Sequence, residues 1–192
     1  MTSFFALVAR LKNINRWALM RNAVTENVQE HSHMTAVIAH ALAVIRRDVL
    51  GGDADPGGVA AAGLFHDATE IMTGDMPTPI KYLSESLTGA YKQAERTARE
   101  RLLMTLPEKM RPAYAGLLGG GDDGETRKLV HAADKIAAYI KCLEEEKAGN
   151  REFRLAAEQT REKIRALCIP EADYFMEHFC CAFELTLDEL AL

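Results

Sequence analysis

The stretch Val59-Ala60-Ala61-Ala62-Gly63-Leu64-Phe65-His66-Asp67-Ala68-Thr69-Glu70-Ile71-Met72-Thr73-Gly74 decides how the rest of the chain is read. Its pattern, from Val59 and Ala60 through Leu64 to Ile71, predicts a helix that stops at Gly74. On such a helix His66 and Glu70 are four apart and Asp67 and Glu70 three apart, so all three side chains can lean to one side. Two further donors, His31 and Asp134, fall on other segments that read as amphipathic helix. Two imidazoles and two carboxylates can hold a divalent metal and leave positions open for water and substrate, a donor set suited to hydrolysis. Glu70, behind them, could orient a ligand, take a proton from water or give one to a leaving group.

Working outward, Asp75-Met76-Pro77-Thr78-Pro79 cannot continue the helix, because two prolines fix the backbone and remove donors; a stiff loop is expected. Upstream, Gly51 to Gly58 reads as a connector, without the Gly-Lys-Ser/Thr ending of a phosphate-cradling loop. Asn27 and Glu30 have the spacing of a capping box, so a helix should start there and run past Val37, Ile38, Ala41, Leu42 and Ile45 toward Arg47, with His31 in its first turn. Phe4, Leu7, Val8, Leu11 and Ile14 predict an opening helix that ends near Asn15, leaving Arg16 and Trp17 at the start of a connection. Further helices are expected at about 85–105, 108–118, 124–148, 151–167 and 170–182, separated by Pro107, Gly119-Gly120-Gly121, Gly149-Asn150 and Pro170. No strand pattern competes with them, and the fold class read from the chain is all-α.

The chain has 192 residues, enough for one domain over 1–192 with a sizeable core. Its net charge is -5 and its basic residues form no single run, which argues against a binder of long nucleic acid. The four cysteines show no zinc-site spacing and read as reduced thiols. The apolar run Ser3 to Ala9 is too short for a membrane span, and Arg10 and Lys12 follow it rather than precede it, opposite to a signal peptide; a cytoplasmic protein is expected.

The motifs Ile14-Asn15-Arg16-Trp17, Thr25 to Ser32, His66-Asp67-Ala68-Thr69-Glu70, Thr73-Gly74-Asp75-Met76-Pro77-Thr78-Pro79-Ile80-Lys81-Tyr82 and Ala133-Asp134 carry a resemblance that spans nearly the whole chain. So do Tyr139 to Glu145 and Asp173 to Glu177. The chain resembles the HD-domain metal-dependent phosphohydrolases, and within them the bacterial 5′-deoxynucleotidases. The resemblance implies a single HD-domain helical bundle with His31, His66, Asp67 and Asp134 as metal ligands. It implies that Arg16 orients the phosphate, that Trp17 walls the sugar, and that Asp75, Met76, Pro77 and Thr78 close the nucleoside side. Its substrate contacts would thus be Arg16, Trp17, His31, Asp67 and Asp75 to Thr78, with Glu70, Arg16 and Asp67 as the catalytic groups. The implied activity is hydrolysis of 2′-deoxyribonucleoside 5′-monophosphates by a homodimer using one divalent ion, whether Co, Mn, Fe, Zn or Mg.

Rival readings are an HD hydrolase of a nucleoside triphosphate, cyclic dinucleotide or alarmone, and a non-enzymatic helical metal-binding protein. His131, three residues before Asp134, is a possible rival ligand or partner of a ligand, though it reads best as a partly exposed structural histidine; His33 and His40 read as non-ligands. The run Glu144-Glu145-Glu146-Lys147 reads as a solvated helix end without chemistry, and Gly119 to Gly124 as a mobile loop.

Overall fold

The computed structural model describes residues 2–81, 83–121 and 123–190, apart from the side chain of Thr78. Its α-helices are α1 (Phe4–Val8), α2 (Val28–Val44), α3 (Pro56–Phe65), α4 (Glu70–Thr73), α5 (Thr78–Lys81), α6 (Glu85–Met104), α7 (Arg111–Ala115), α8 (Gly124–Lys147), α9 (Arg154–Ala166) and α10 (Pro170–His178). No strand occurs among the described residues, and the fold class is all-α. One isolated antiparallel bridge joins Asn15 to Asn27.

α8 is the central element, packed by α2 and α3 on one side and α9 and α10 on another. Ile38 and Leu42 of α2 meet Ile136 and Ile140 of α8, with Phe153 and Ile164 closing the cluster. Each such buried aliphatic or aromatic side chain contributes about 1.5–3 kcal/mol. A smaller cluster of Phe4, Ala68, Leu102, Leu106 and Leu118 ties α1 and α6 to the segment after α3.

α2 and α3 run antiparallel and nearly touch. A Cβ on Gly63 would lie 3.0 Å from the backbone Cα of Ala36, so only glycine permits this approach. Continuing along the pair, the chain reaches Asp67 on one side and His31 on the other.

Two local departures from the periodicity matter here. The helix expected from Val59 to Gly74 instead begins at Pro56, under an Asp55 cap, and ends at Phe65; His66 to Thr69 form turns before α4. His66 Nδ1 lies 2.7 Å from the Gly63 carbonyl, which an uninterrupted helix would bond to the Asp67 N–H. The following bonds tighten to three-residue spacing, as in Ala68 N–H to Phe65 O at 3.1 Å and Glu70 N–H to Asp67 O at 2.9 Å. The second departure is α5, which starts at Thr78 inside the expected loop and carries Pro79 in its first turn, where a missing N–H costs nothing. Smaller ones are α1, which gives way at Ala9 to a 3₁₀ turn, and the 108–118 region, where α7 is flanked by two such turns.

Candidate metal centre

α2 opens with the expected capping box: Asn27 Oδ1 accepts from the Glu30 N–H at 3.0 Å, and Glu30 Oε2 accepts from the Asn27 N–H at 3.2 Å. This fixes the turn that carries His31, which is fully buried. His31 Nε2 lies 3.1 Å from Asp134 Oδ1 on α8 and 3.7 Å from Asp67 Oδ2. His66 Nε2 lies 3.1 Å from the same Asp67 oxygen. One donor atom from each of His31, His66 and Asp134 falls within 4.8 Å of the others, with Asp67 alongside.

The donor chemistry fits a divalent cation. His66 Nδ1–H donates to the Gly63 carbonyl, which puts the ring's lone pair on Nε2. That Nε2 is buried and faces the Asp67 oxygen at 3.1 Å, so in this tautomer two lone pairs converge on one point, an arrangement with a cost unless a cation binds there. Burial works to raise the Asp67 and Asp134 carboxyls, but the imidazoles beside them prevail. With the imidazoles protonated, Asp67 is held at about 2 by His66 and His31, and Asp134 well below the ordinary carboxylate range by His31, Lys135 and His66; a bound cation would take the place of those ring protons. Both are anionic at neutral pH, as ligands must be.

Glu70 differs from its neighbours. It sits in the first turn of α4, and its Oε2 is buried without a hydrogen-bond partner. Burial, with the Asp67 and Asp75 carboxylates nearby, pushes its pKa up to about 10, against the pull of Arg16 and Lys81. It is a protonated acid beside ionised ones, the separation of roles that acid–base catalysis needs.

Arg16 and Trp17 reach the centre through the Asn15–Asn27 bridge. The Arg16 N–H donates to the Glu26 carbonyl at 2.9 Å and the Val28 N–H to the Ile14 carbonyl at 3.0 Å. Glu26 Oε2 then accepts from both Arg16 Nε and Trp17 Nε1, each at 3.1 Å. Arg16 Nη1 stands 3.6 Å from Asp67 Oδ2. Trp17 has φ of 58°, a left-handed conformation costly for a bulky residue, and its ring packs edge-on against Phe153 at 5.3 Å. Asp75 follows Gly74, whose φ of 71° ends α4; burial raises its pKa, opposed by Arg16 and by the Trp17 backbone N–H. Met76 and Pro77 are half-buried between α4 and α5, and the Thr78 side chain lies outside the described residues.

A cleft of about 350 Å³ opens on the other side of His66, Asp67 and Asp134. Its far wall is Lys81, Glu95, Arg99, the Leu118–Gly120 turn, Arg127 and His131. Of these, the sequence singles out only His131 as a site candidate. It lies on the exposed cleft wall, outside the His31–His66–Asp134 cluster. Arg99 and Arg127 lie on helices with no motif, so only the tertiary fold brings them here. The Leu118–Gly120 turn lies close to Arg99: a Cβ on Gly119 would approach its guanidinium to 3.1 Å.

Residues 3–183 match the family described as 5′-deoxynucleotidase YfbR-like. The chain belongs to the YfbR-like family. A YfbR 5′-deoxynucleotidase of Shigella boydii is 45% identical over 189 residues, covering 98% of this chain and 95% of the relative. Among solved structures, an HD-domain phosphohydrolase from Listeria innocua superposes with a TM-score of 0.80 at 22% identity, covering 94% of this chain and 88% of its own. The cyanophage S-2L HD phosphohydrolase DatZ, bound to dA and one catalytic Zn²⁺ ion, superposes at 0.63 with 18% identity, covering 92% and 95%. The YfbR-like chain thus has the HD-domain fold as well as a compact His/His/Asp cluster.

Proposed function

We propose that this chain is a metal-dependent phosphomonoesterase that hydrolyses 2′-deoxyribonucleoside 5′-monophosphates to deoxynucleoside and phosphate. The observation that carries the reading is the juxtaposition of a His/His/Asp cluster with a guanidinium, Arg16, 3.6 Å from Asp67. The substrate class follows the name borne by the bacterial relatives.

In this reading 1–192 works as one domain, and His31, His66, Asp67 and Asp134 hold one divalent ion. When bound, that ion supplies Lewis acidity toward a phosphoryl oxygen and acidifies water. Arg16, its Nε fixed by Glu26, offers its remaining donors to the phosphate and neutralises charge that develops on it. Glu70, whose pKa burial pushes up to about 10, is in this reading the acid that gives a proton to the departing 5′ oxygen. Trp17 crowds the sugar at the 2′ carbon, which disfavours ribose, while Asp75 accepts a hydrogen bond from a sugar hydroxyl. Met76, Pro77 and Thr78 complete the nucleoside side.

No described helix is long and apolar enough to cross a membrane. The reading includes a homodimer in the bacterial cytoplasm. The test is phosphate release from dAMP and AMP by metal-stripped protein, with Co²⁺, Mn²⁺, Fe²⁺, Zn²⁺ or Mg²⁺ restored singly. Metal-dependent turnover favouring dAMP is expected. Turnover of a triphosphate or cyclic dinucleotide in preference to dAMP, or none with any metal, would sink the reading.

A further inference from the structure

Glu145 and Lys141 are buried on α8, 1% and 4% exposed, and form an ion pair one turn apart. Read from the sequence, the Glu144–Lys147 run is a solvated helix end; for Glu145 the fold corrects this. Its carboxylate accepts from the Ala23 N–H at 2.7 Å, the Val24 N–H at 3.1 Å, Asn150 Nδ2 at 2.7 Å and Lys141 Nζ. Lys141 Nζ also donates to the Val24 carbonyl, and Asn150 Nδ2 to the Arg21 carbonyl at 2.7 Å. Three of these bonds run from α8 to Ala23 and Val24, and Asn150, just beyond α8, ties Glu145 to Arg21 of the same turn.

A buried ion pair gains little net stability once both charges are desolvated; its best-attested use is to fix register. Here the registered element is the segment that carries Trp17. The Trp17 carbonyl accepts from the Met20 N–H at 2.9 Å and from Asn22 Nδ2 at 3.4 Å, which links it to the clamped turn. The Trp17 ring rests on Phe153, and Lys141 Nζ lies 5.6 Å from the centre of that same phenyl ring. The left-handed Trp17 backbone lies in a segment held at both ends: by Glu26 near the bridge, and by the Glu145 knot beyond.

We propose that Lys141 and Glu145 are positioning residues that set the place of Trp17, and through it the enzyme's discrimination between deoxyribose and ribose. The selectivity half rests on the reading of Trp17 as the sugar wall. The positioning half does not, because Trp17 is the one tryptophan of the chain and its fluorescence reports its surroundings without turnover.

The variant is the double replacement Lys141→Met/Glu145→Leu, which removes both charges and strands neither. Circular dichroism should show a folded protein. Trp17 emission should shift to the red with greater acrylamide quenching, and the ratio of kcat/KM for dAMP over AMP should fall about fivefold or more. That ratio is independent of the fraction of active protein, so a loss of stability alone leaves it unchanged. Glu145→Gln, which keeps an acceptor for the turn, should lie between the two and serves in place of the double variant should that fail to fold. Unchanged emission and quenching in a folded variant would overturn the positioning of Trp17. Loosened Trp17 with an unaltered substrate ratio would overturn the link to selectivity. Wild-type protein that turns over dAMP and AMP equally would instead overturn the sugar-wall reading, and the emission experiment would still decide the positioning.

Discussion

Arg16 Nη1 faces Asp67 Oδ2 at 3.6 Å, beyond a good hydrogen bond, while the same guanidinium's Nε is bound to Glu26 at 3.1 Å. One edge of the fork is anchored and the rest is held next to the cluster without being consumed by it. Lysine can keep the charge there but not both functions. Arg16→Lys should lower kcat for dAMP about 100-fold, and Arg16→Ala further, with the melting temperature little changed. Steady-state phosphate release alongside thermal unfolding checks this, and near-wild-type turnover in Arg16→Lys would refute the role.

Glu70 is the buried acid that stays protonated while Asp67 and Asp134 ionise. Glu70→Gln keeps its shape and removes its proton. Turnover should fall about 10²- to 10⁴-fold with metal affinity within a few-fold of wild type, since the glutamate is not counted among the ligands. Calorimetric metal titration together with single-turnover assays separates the two effects; a parallel loss of metal binding would make Glu70 a ligand instead.

The close approach of α2 and α3 at Gly63 leaves no room for a methyl group. Gly63→Ala should destabilise the fold by about 1–3 kcal/mol through overpacking. It should also weaken metal binding, because moving the helices apart separates His31 from His66. Urea unfolding with and without metal measures both, and metal-induced stabilisation equal to wild type would show that the crossing does not set the site.

Glu145 carries a pH signature. Burial alone would raise its carboxyl, but the donors from Lys141, Ala23, Asn150 and Val24 hold it at about 2, against 4.5 for a free glutamate. A group depressed in the fold adds stability that is fully present above the unfolded value and lost as pH falls toward the folded one. Relative to the protonated carboxyl, that contribution is present near neutrality and drains away between about pH 5 and pH 2. The stability gap between wild type and Glu145→Gln, from urea midpoints, should therefore shrink steadily from pH 6 to pH 3. A gap constant with pH would mean that the carboxylate charge is not what the turn recognises.

The helices were readable because apolar spacing is local, and the capping box at Asn27 because it needs only Glu30. The grouping of His31, His66, Asp67 and Asp134 followed from donor types and family motifs. The break after Phe65 did not, since it depends on a side chain taking its own helix's carbonyl. Nor could the sequence separate buried Glu145 from exposed Glu144 and Glu146, because the partners that bury it lie more than 100 residues away at Ala23 and Val24. Arg99 on α6 and Arg127 on α8 come to one cleft only through the tertiary arrangement, which no spacing within either helix announces.

His31 and Asp134 are 103 residues apart, and α8 carries both Asp134 and the Glu145 that grips the Trp17 segment. On the proposed ligand set, a chain emerging from the ribosome would display His31, His66 and Asp67 long before Asp134, and could not complete the site until α8 docks. The same docking event locks the turn beyond Trp17. In the proposed function the metal end and the nucleoside end would thus be finished together, and a nascent or proteolytically shortened chain that lacks α8 would have neither.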